Sequence, residues 1–571
     1  MNRLQLALLS VSVTTLAFTA QAQTLPENAL STAEPGRVSE QLRDAPFAPT
    51  VSPEISIKDV DLQKAPPGAD KINLTLTGLN ISGVTAYTQD QLAPLYTPYI
   101  GQTVTLAQVY AIANDLKLKY RNEGYLLAQV IVPPQTIDSG IVNLQVVEGT
   151  VDSVVVQGEE TAATELVRKY AGQIATGGAL NIAQLERQLL LINDLPGVTA
   201  RSVLSPSPNV TGAADLRIIV ERDPFDALIG VNNNGSKYLG PLQFVGAATA
   251  NNHFNLNESQ TAQVVFAPQS INPFDYELGY LALQYNMPVW SHGTTLQIFT
   301  SLTDTDPGFD LKQFDVEGKS IFASIGLEHP FIRSRAQNLY GRVSFDYRNV
   351  KTSNNLPEPT REDDIRALRA GVRYDFLDTF LGVGVNSIDL EFAKGLDLFG
   401  ASDKGDANLS RAAGDPDFFK LNAEIQRLQR ITSSVNLLLA GSAQWSNDAL
   451  LASEEFGVGG INIGRAYDPS EIVGDEGIAG KVELQWKQPV QWNLVEDYQV
   501  FGFYDAGRVW NDDPTTADQK RDSVISTGFG LRTDFGEHVN ADLTVAFPLS
   551  RDVETQRDRD PRVYFSLTKQ F

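Results

Sequence analysis

From Phe225 to Phe571 the chain has no helical period; short segments of alternating apolar and polar side chains are separated by turns and polar loops. In Leu339–Arg348, Leu339, Gly341, Val343, Phe345 and Tyr347 share one face, and Tyr340, Arg342, Ser344, Asp346 and Arg348 share the other. Leu368, Ala370, Val372, Tyr374 and Phe376 oppose Arg369, Arg373 and Asp375. Val482, Leu484 and Trp486 oppose Lys481, Glu483, Gln485 and Lys487. A period of two belongs to strands. A helix-free stretch of this length is long for a soluble sandwich, and its polar face carries both charge signs on strand after strand: residues 226–571 hold 30 basic and 47 acidic groups. The pattern predicts a membrane β-barrel with an apolar band outside and a charged, wet lumen inside. Closure leaves no strand edge unpaired within a bilayer.

Sixteen antiparallel strands are expected, starting near residues 225, 240, 258, 276, 293, 317, 338, 365, 380, 416, 432, 479, 498, 522, 537 and 561. An even count returns both barrel ends to one side. Prolines 288, 330 and 489 are expected to end strands 4, 6 and 12, since proline has no N–H for the ladder. The long stretches 351–364, 394–415 and 446–478 are expected on the opposite rim.

Two small α+β modules precede the barrel, at 71–149 and 150–222. In the first, Ile72, Leu74 and Leu76 alternate as in a strand, and Thr105 to Gln108 is a capping box. A helix with Leu106, Val109, Ala113, Leu116 and Tyr120 on one face follows, ended by Gly124. Two strands, Tyr125–Val132 and Ile141–Val147, complete it. The second module repeats the order, with a strand at Val151–Gln157, helices at Thr161–Ala171 and after Asn181, and strands at Arg201–Ser205 and Asp215–Glu221. Residues 23–70 form a leader with a short helix near Ser39–Arg43 and a proline-rich extended linker. Residues 1–22 read as a secretory signal: Arg3, an apolar stretch from Leu4 to Thr19, and a small-x-small site with cleavage after Ala22.

The 571 residues include no cysteine, which removes disulfides, thiol nucleophiles and cysteine-based zinc sites. A net charge of −24 argues against nucleic acid as a partner. No catalytic or metal-binding constellation and no cofactor motif emerges. His253, His292, His329 and His538 are scattered, Gly318-Lys319-Ser320 lacks the upstream glycine of a phosphate loop, and Asp363-Asp364 and Asp512-Asp513 fall in expected loops. The chain is therefore expected to be no enzyme. The last strand ends on Phe571, with Val563, Phe565 and Leu567 on the same face. This terminal aromatic resembles the signal by which the outer-membrane assembly machinery recognises barrel proteins. In the longest loop, Phe456 to Tyr467 is glycine-rich and is followed by Gly474-Asp475, which suits backbone folding tightly into a confined space with Arg465 pointing into the lumen.

The tandem modules resemble POTRA domains. Tyr120-Arg121-Asn122-Glu123-Gly124-Tyr125, then Pro134-Gln135, then Val147-Glu148-Gly149 is similar to the first POTRA domain of two-partner secretion transporters, the TpsB branch of the Omp85 superfamily. The loop resembles that superfamily's lumen-inserted sixth loop: Arg465 and Tyr467 match its Val-Arg-Gly-Phe/Tyr tetrad, whereas Gly464 and Ala466 depart from it. The resemblance implies that Arg465 pairs with an inner-wall carboxylate, here Asp505, which shares a face with Phe501 and Phe503. It also implies a helix at Pro35–Asp44 able to plug the barrel. The protein expected is a monomeric translocase in the Gram-negative outer membrane, its lipid bilayer the partner of the apolar band. Periplasmic POTRA domains would pass an unfolded secreted polypeptide across without ATP. An assembly factor of the same superfamily usually carries three or more such modules, and a solute-diffusion porin would leave residues 71–222 without purpose.

Overall fold

The computed structural model describes residues 32–42 and 63–571, apart from 138, 161–163, 175–177, 211, 271–274, 357–359, 491–494, 496, 513–519 and 537. The expected signal with its Ala22 site, and the linker residues 43–62, lie outside the described residues.

Sixteen antiparallel strands form one closed barrel. In order they are Phe225–Asn232, Gln243–Asn251, Ser259–Pro268, Tyr276–Pro288, Thr295–Thr305, Glu317–Arg333, Gln337–Ser353, Arg361–Asp378, Gly384–Gly395, Phe419–Arg430, Val435–Ser446, Glu476–Pro489, Asp497–Trp510, Arg521–Phe535, Val539–Pro548 and Arg562–Gln570. Each pairs with its sequence neighbour, and strand 16 returns to strand 1 with Leu567 opposite Val231. The alternation decides the faces. Val343 and Val372 stand 44% and 47% exposed on the outside, whereas Asp346 and Asp375, of the other parity, are buried within.

The largest departures in strand starts are at strand 8, Arg361 rather than 365, and strand 9, Gly384 rather than 380. Pro330 does not end strand 6, which continues to Arg333. The register shifts between Pro330 and Ile332, so the proline sits at a bulge where no ladder N–H is required. Proline does end strands 4 and 12.

Both modules precede strand 1 and occupy one end of the barrel. In the first, Thr105 caps the helix Leu106–Asn122 through the capping box with Gln108, and Gly124 follows at φ +93°. The expected opening strand is Asn73–Thr75, paired with a strand at Thr103–Thr105 that the sequence pattern had not marked; a second unmarked strand, Gly78–Ser82, lies parallel to Ile141–Val147. Gln129–Ile131 completes the three-stranded sheet. The second module has Ala213–Arg222 between Thr150–Gln157 and Val198–Pro206. Its first helix runs Glu165–Gly172, starting later than expected because Thr164 is the N-cap, its hydroxyl accepting from Val167 N–H.

The second module is tied to the barrel rim. Arg333 grips Asp194 with two hydrogen bonds, 2.8 and 2.7 Å, while its third nitrogen reaches Asn338. Arg187 donates to the Pro330 carbonyl at 3.0 Å, and Arg335 N–H donates to Glu186.

Candidate functional site

The long loop between strands 11 and 12 turns back into the barrel. Phe456–Val458 and Ile472–Gly474 pair as a small hairpin. Its tip needs glycine: Gly459, Gly460 and Gly464 all have φ between +89° and +128°, and a Cβ on Gly459 would lie 2.1 Å from the Asp468 carbonyl. A turn closed by Tyr467 N–H to the Gly464 carbonyl, 2.8 Å, then presents Arg465.

Arg465 meets Asp505 on strand 13. Its Nε and Nη2 donate to the two carboxylate oxygens at 2.9 and 2.8 Å, and the backbone N–H groups of Gly464 and Arg465 add 3.1 and 3.2 Å bonds. Nη1 donates to Glu483 on strand 12, and the guanidinium lies 3.5 Å from the Phe503 ring centroid. Glu483 in turn accepts from Arg532 on strand 14, which stacks 3.8 Å from the Phe501 centroid and reaches Asp542 on strand 15. The loop is thus bound to one end of a ladder of alternating charges, with an aromatic ring under each cation. Ala466, where the tetrad has glycine, is fully buried and is not among the positive-φ residues. Tyr467 is buried, its hydroxyl donating to the Ile525 carbonyl and pairing with Ser550, both at 3.1 Å.

Asp475 is not brought to this cluster. It accepts from Leu450 N–H at 2.6 Å and Asp512 N–H at 2.9 Å and holds Arg411, so it pins the base of the hairpin rather than its tip. The ladder partners Glu483 and Arg532 were visible only as polar-face residues, since the register that sets Glu483 opposite Phe503 is a long-range fact.

Residues 32–42 lie inside the barrel as one 3-10 turn, Pro35–Arg37, and one α turn, Val38–Gln41. Ala33 and Val38 join a buried cluster with Val265, Ala267, Leu278, Tyr280 and Ala282, inward-facing on strands 3 and 4. Arg37, 2% exposed, donates to the Glu455 carbonyl at 2.8 Å and faces its carboxylate at 3.8 Å. Arg348 binds the Gly36 carbonyl at 3.1 Å and the Ser453 carbonyl at 2.8 Å, and Gln41 reaches Ser470 at 3.3 Å. The loop therefore touches the wall with its tip and the N-terminal segment with its flanks. The lumen is also less uniformly charged than expected: strands 3 and 4 line it with an apolar stripe.

In the first module, Glu148 is the centre of the Tyr120 motif. It accepts from Thr85 N–H and Ala86 N–H, each 2.8 Å, and from the Tyr120 hydroxyl at 2.6 Å. Burial raises the Glu148 pKa, but the hydrogen bonds from Ala86, Thr85 and Tyr120 outweigh it and hold the carboxyl below its ordinary range. Burial, then the bond to Glu148, pushes the Tyr120 phenol up. Tyr87, Tyr120 and Tyr125 pack edge to face around it, centroids 4.7–5.8 Å apart. Gly149, at φ +73°, leaves no room for a Cβ, which would lie 2.4 Å from Leu127 Cβ. The Gln135 amide exchanges two 2.8 Å bonds with the Asn143 backbone, continuing the ladder past Pro133 and Pro134. Gly124 accepts from Ile182 N–H, which couples the motif to the second module. Arg121 lies in the last turn of the helix. Phe571 is exposed at the rim, its N–H bonded to the Ala227 carbonyl and its ring under Lys569.

Comparison with known proteins gives a consistent result. Residues 212–533, more than half of the chain, match the family described as haemolysin secretion/activation protein ShlB/FhaC/HecB, and residues 74–149 match the POTRA domain of ShlB type. The heme/hemopexin transporter protein HuxB of Haemophilus influenzae is 24% identical over 471 residues, covering 81% of each chain. The outer membrane transporter CdiB of Escherichia coli is 23% identical over 517 residues, covering 89% of this chain and 82% of CdiB. The solved structure of CdiB from Escherichia coli superposes with a TM-score of 0.73 at 19% identity, covering 96% of this chain and all of that one, a likeness of fold.

Proposed function

Because this chain belongs to the haemolysin secretion/activation family, we propose that it exports a partner polypeptide through its own barrel, from the periplasm to the cell surface. It stands in the outer membrane with its POTRA region in the periplasm, and the named relatives are transporters. The observation that carries the reading is the lumen: a closed barrel with an ionic inner wall, occupied by an eleven-residue segment of the chain itself and by one inward loop. A pore blocked by removable parts suits a large, occasional cargo better than steady solute diffusion.

The geometry suits the following steps. The second module, taken as a second POTRA domain, offers an edge strand, Val198–Pro206, exposed from Arg201 onward, to which an extended periplasmic segment adds by backbone pairing. Main-chain hydrogen bonds make that capture tolerant of sequence. Residues 32–42 act as the plug and leave the lumen as the partner enters. The Arg465–Asp505 pair steadies the inward loop against strand 13 while the neighbouring space is vacated. Direction comes from folding of the partner outside. Phe571 serves as the mark read by the outer-membrane assembly machinery, after which the chain works as a monomer.

The test is export. In cells lacking this chain the partner is expected in the periplasm or degraded, and re-supply is expected to restore it to the medium. Arg465→Glu is expected to abolish export at unchanged barrel levels, and Asp505→Arg in the same chain to restore part of it. Normal export by Arg465→Glu contradicts the role of the loop.

A further inference from the structure

Most of the lumen wall near the plug is ionic and internally paired. Arg342 binds Asp389 and Glu391; Arg369 binds Asp346 and Glu454; Lys420 binds Glu454. Charges already paired offer a passing chain little to hold. Strands 3 and 4 differ. Val265, Ala267, Leu278, Tyr280 and Ala282 face inward and are covered by the plug and by loop residues such as Leu311 and Phe314. If the plug withdraws, part of an apolar stripe is left facing a water-filled pore, an exposure that favours a replacement occupant.

Beside this stripe is a slot for an arginine. Arg37 is held by the Glu455 carbonyl and carboxylate, and the floor is Gly457, where a Cβ would lie 2.7 Å from the guanidinium. The preceding position admits only glycine: a Cβ on Gly36 would lie 2.7 Å from Ser453 Cβ and 2.9 Å from Val350. The following residue, Val38, is buried in the apolar cluster. The seat therefore reads a glycine, an arginine, then an apolar residue.

We propose that this stripe and the Glu455 slot form a lumenal binding surface for unfolded polypeptide segments of that pattern, and that residues 32–42 hold it as a resident competitor for the exported chain. The plug is thus displaced by competition at its own seat. The inference rests on the export reading and adds to it what the lumen recognises.

The experiment uses the full-length chain with Arg37→Glu, which sets a carboxylate against Glu455 and unseats the plug, reconstituted in planar bilayers. Four synthetic peptides are added on the periplasmic side: residues 32–42; the same peptide with Arg37→Glu; an unrelated eleven-residue peptide keeping only the glycine–arginine–apolar pattern with apolar neighbours; and a glycine–serine peptide with one arginine. The first and third are expected to close the channel at similar concentrations, and the other two to need at least about ten times more. Adding Val265→Asp and Leu278→Asp is expected to raise the blocking concentration of the first and third at least about tenfold, each measured against that variant's own open conductance. A third peptide no better than the fourth overturns the proposal, as does a channel that stays closed with Arg37→Glu. Should the wall variant not assemble, the peptide comparison alone decides. Because no partner is present, a negative result here leaves export itself, read by release into the medium, standing or falling separately.

Discussion

At Arg465, one guanidinium satisfies Asp505 and Glu483 together while covering Phe503. Truncation to alanine leaves two buried carboxylates without their shared cation. Breaking one side of such a buried pair costs about 3–5 kcal/mol, so Arg465→Ala is expected to lower the temperature at which the folded barrel loses its compact electrophoretic form. Arg465→Lys is expected to recover little, because an ammonium neither bonds Asp505 with two nitrogens nor stacks on Phe503; wild-type behaviour of either variant contradicts the assignment. In the first POTRA domain, Glu148→Gln removes a charged acceptor of hydrogen bonds from three residues and is expected to cost about 1–3 kcal/mol. Since the native carboxyl is held below its ordinary value of 4.5, its contribution is full above that pH and is lost as pH falls through the native value. Loss of hydrogen-exchange protection at Thr85 and Ala86 on acidification, measured against the intrinsic rate at each pH and absent in the Gln variant, is the check. The Arg465–Asp505 pair was legible because the family resemblance implied both members and alternation set Asp505 on one face with Phe501 and Phe503. Glu483 and Arg532 were not, since only the barrel register brings strands 12 and 14 to the same cation.

Among elements, the plug carries its own pH dependence. Burial first, then the neighbouring Asp363 and Glu455 carboxylates, push Glu34 up to about 7, against the pull of Arg37 and a bond from the Gly36 backbone. A raised carboxyl pKa means that the ionised form disfavours the seated state. Seating is therefore firmest below pH 4.5 and weakens as pH rises toward 7. Channel openings in planar bilayers are expected to become more frequent across that window, and Glu34→Gln to flatten the response; a wild-type channel indifferent to pH contradicts it. The tie between the second module and the rim is a different kind of contact. Asp194 is partly exposed, so Arg333→Ala is expected to loosen docking by about 1 kcal/mol or less, seen as faster labelling of a cysteine placed at Ser291, whose carbonyl accepts from Gln173 of the second module. Elements were legible to the extent that one face was polar. Strands 7, 8 and 12 declared both faces, whereas in Ala262–Ala267 apolar residues fall on both, so nothing local marks Val265 as lumenal. The Gly78–Ser82 strand went unmarked because only Leu79 and Ile81 alternate within it.

For the whole molecule, the closed barrel, its N-terminal occupant and its inward loop support one proposal, that the lumen is a conduit kept shut by parts of the chain. Closure itself was legible, because period-two segments with charge on one face have few ways to bury the other. The contact between Arg37 and Glu455, 418 residues apart, was not. The absence of native cysteine permits a direct test. Gln41 and Ser470 touch across the plug–loop contact, and cysteines at both positions can be joined, directly or by a short thiol cross-linker, in assembled protein. Export of the partner is predicted to stop when the plug is tethered and to resume when the link is reduced, each single-cysteine chain exporting throughout. Undiminished export through a barrel whose plug is shown to be covalently held would contradict the claim that the polypeptide crosses by the lumen.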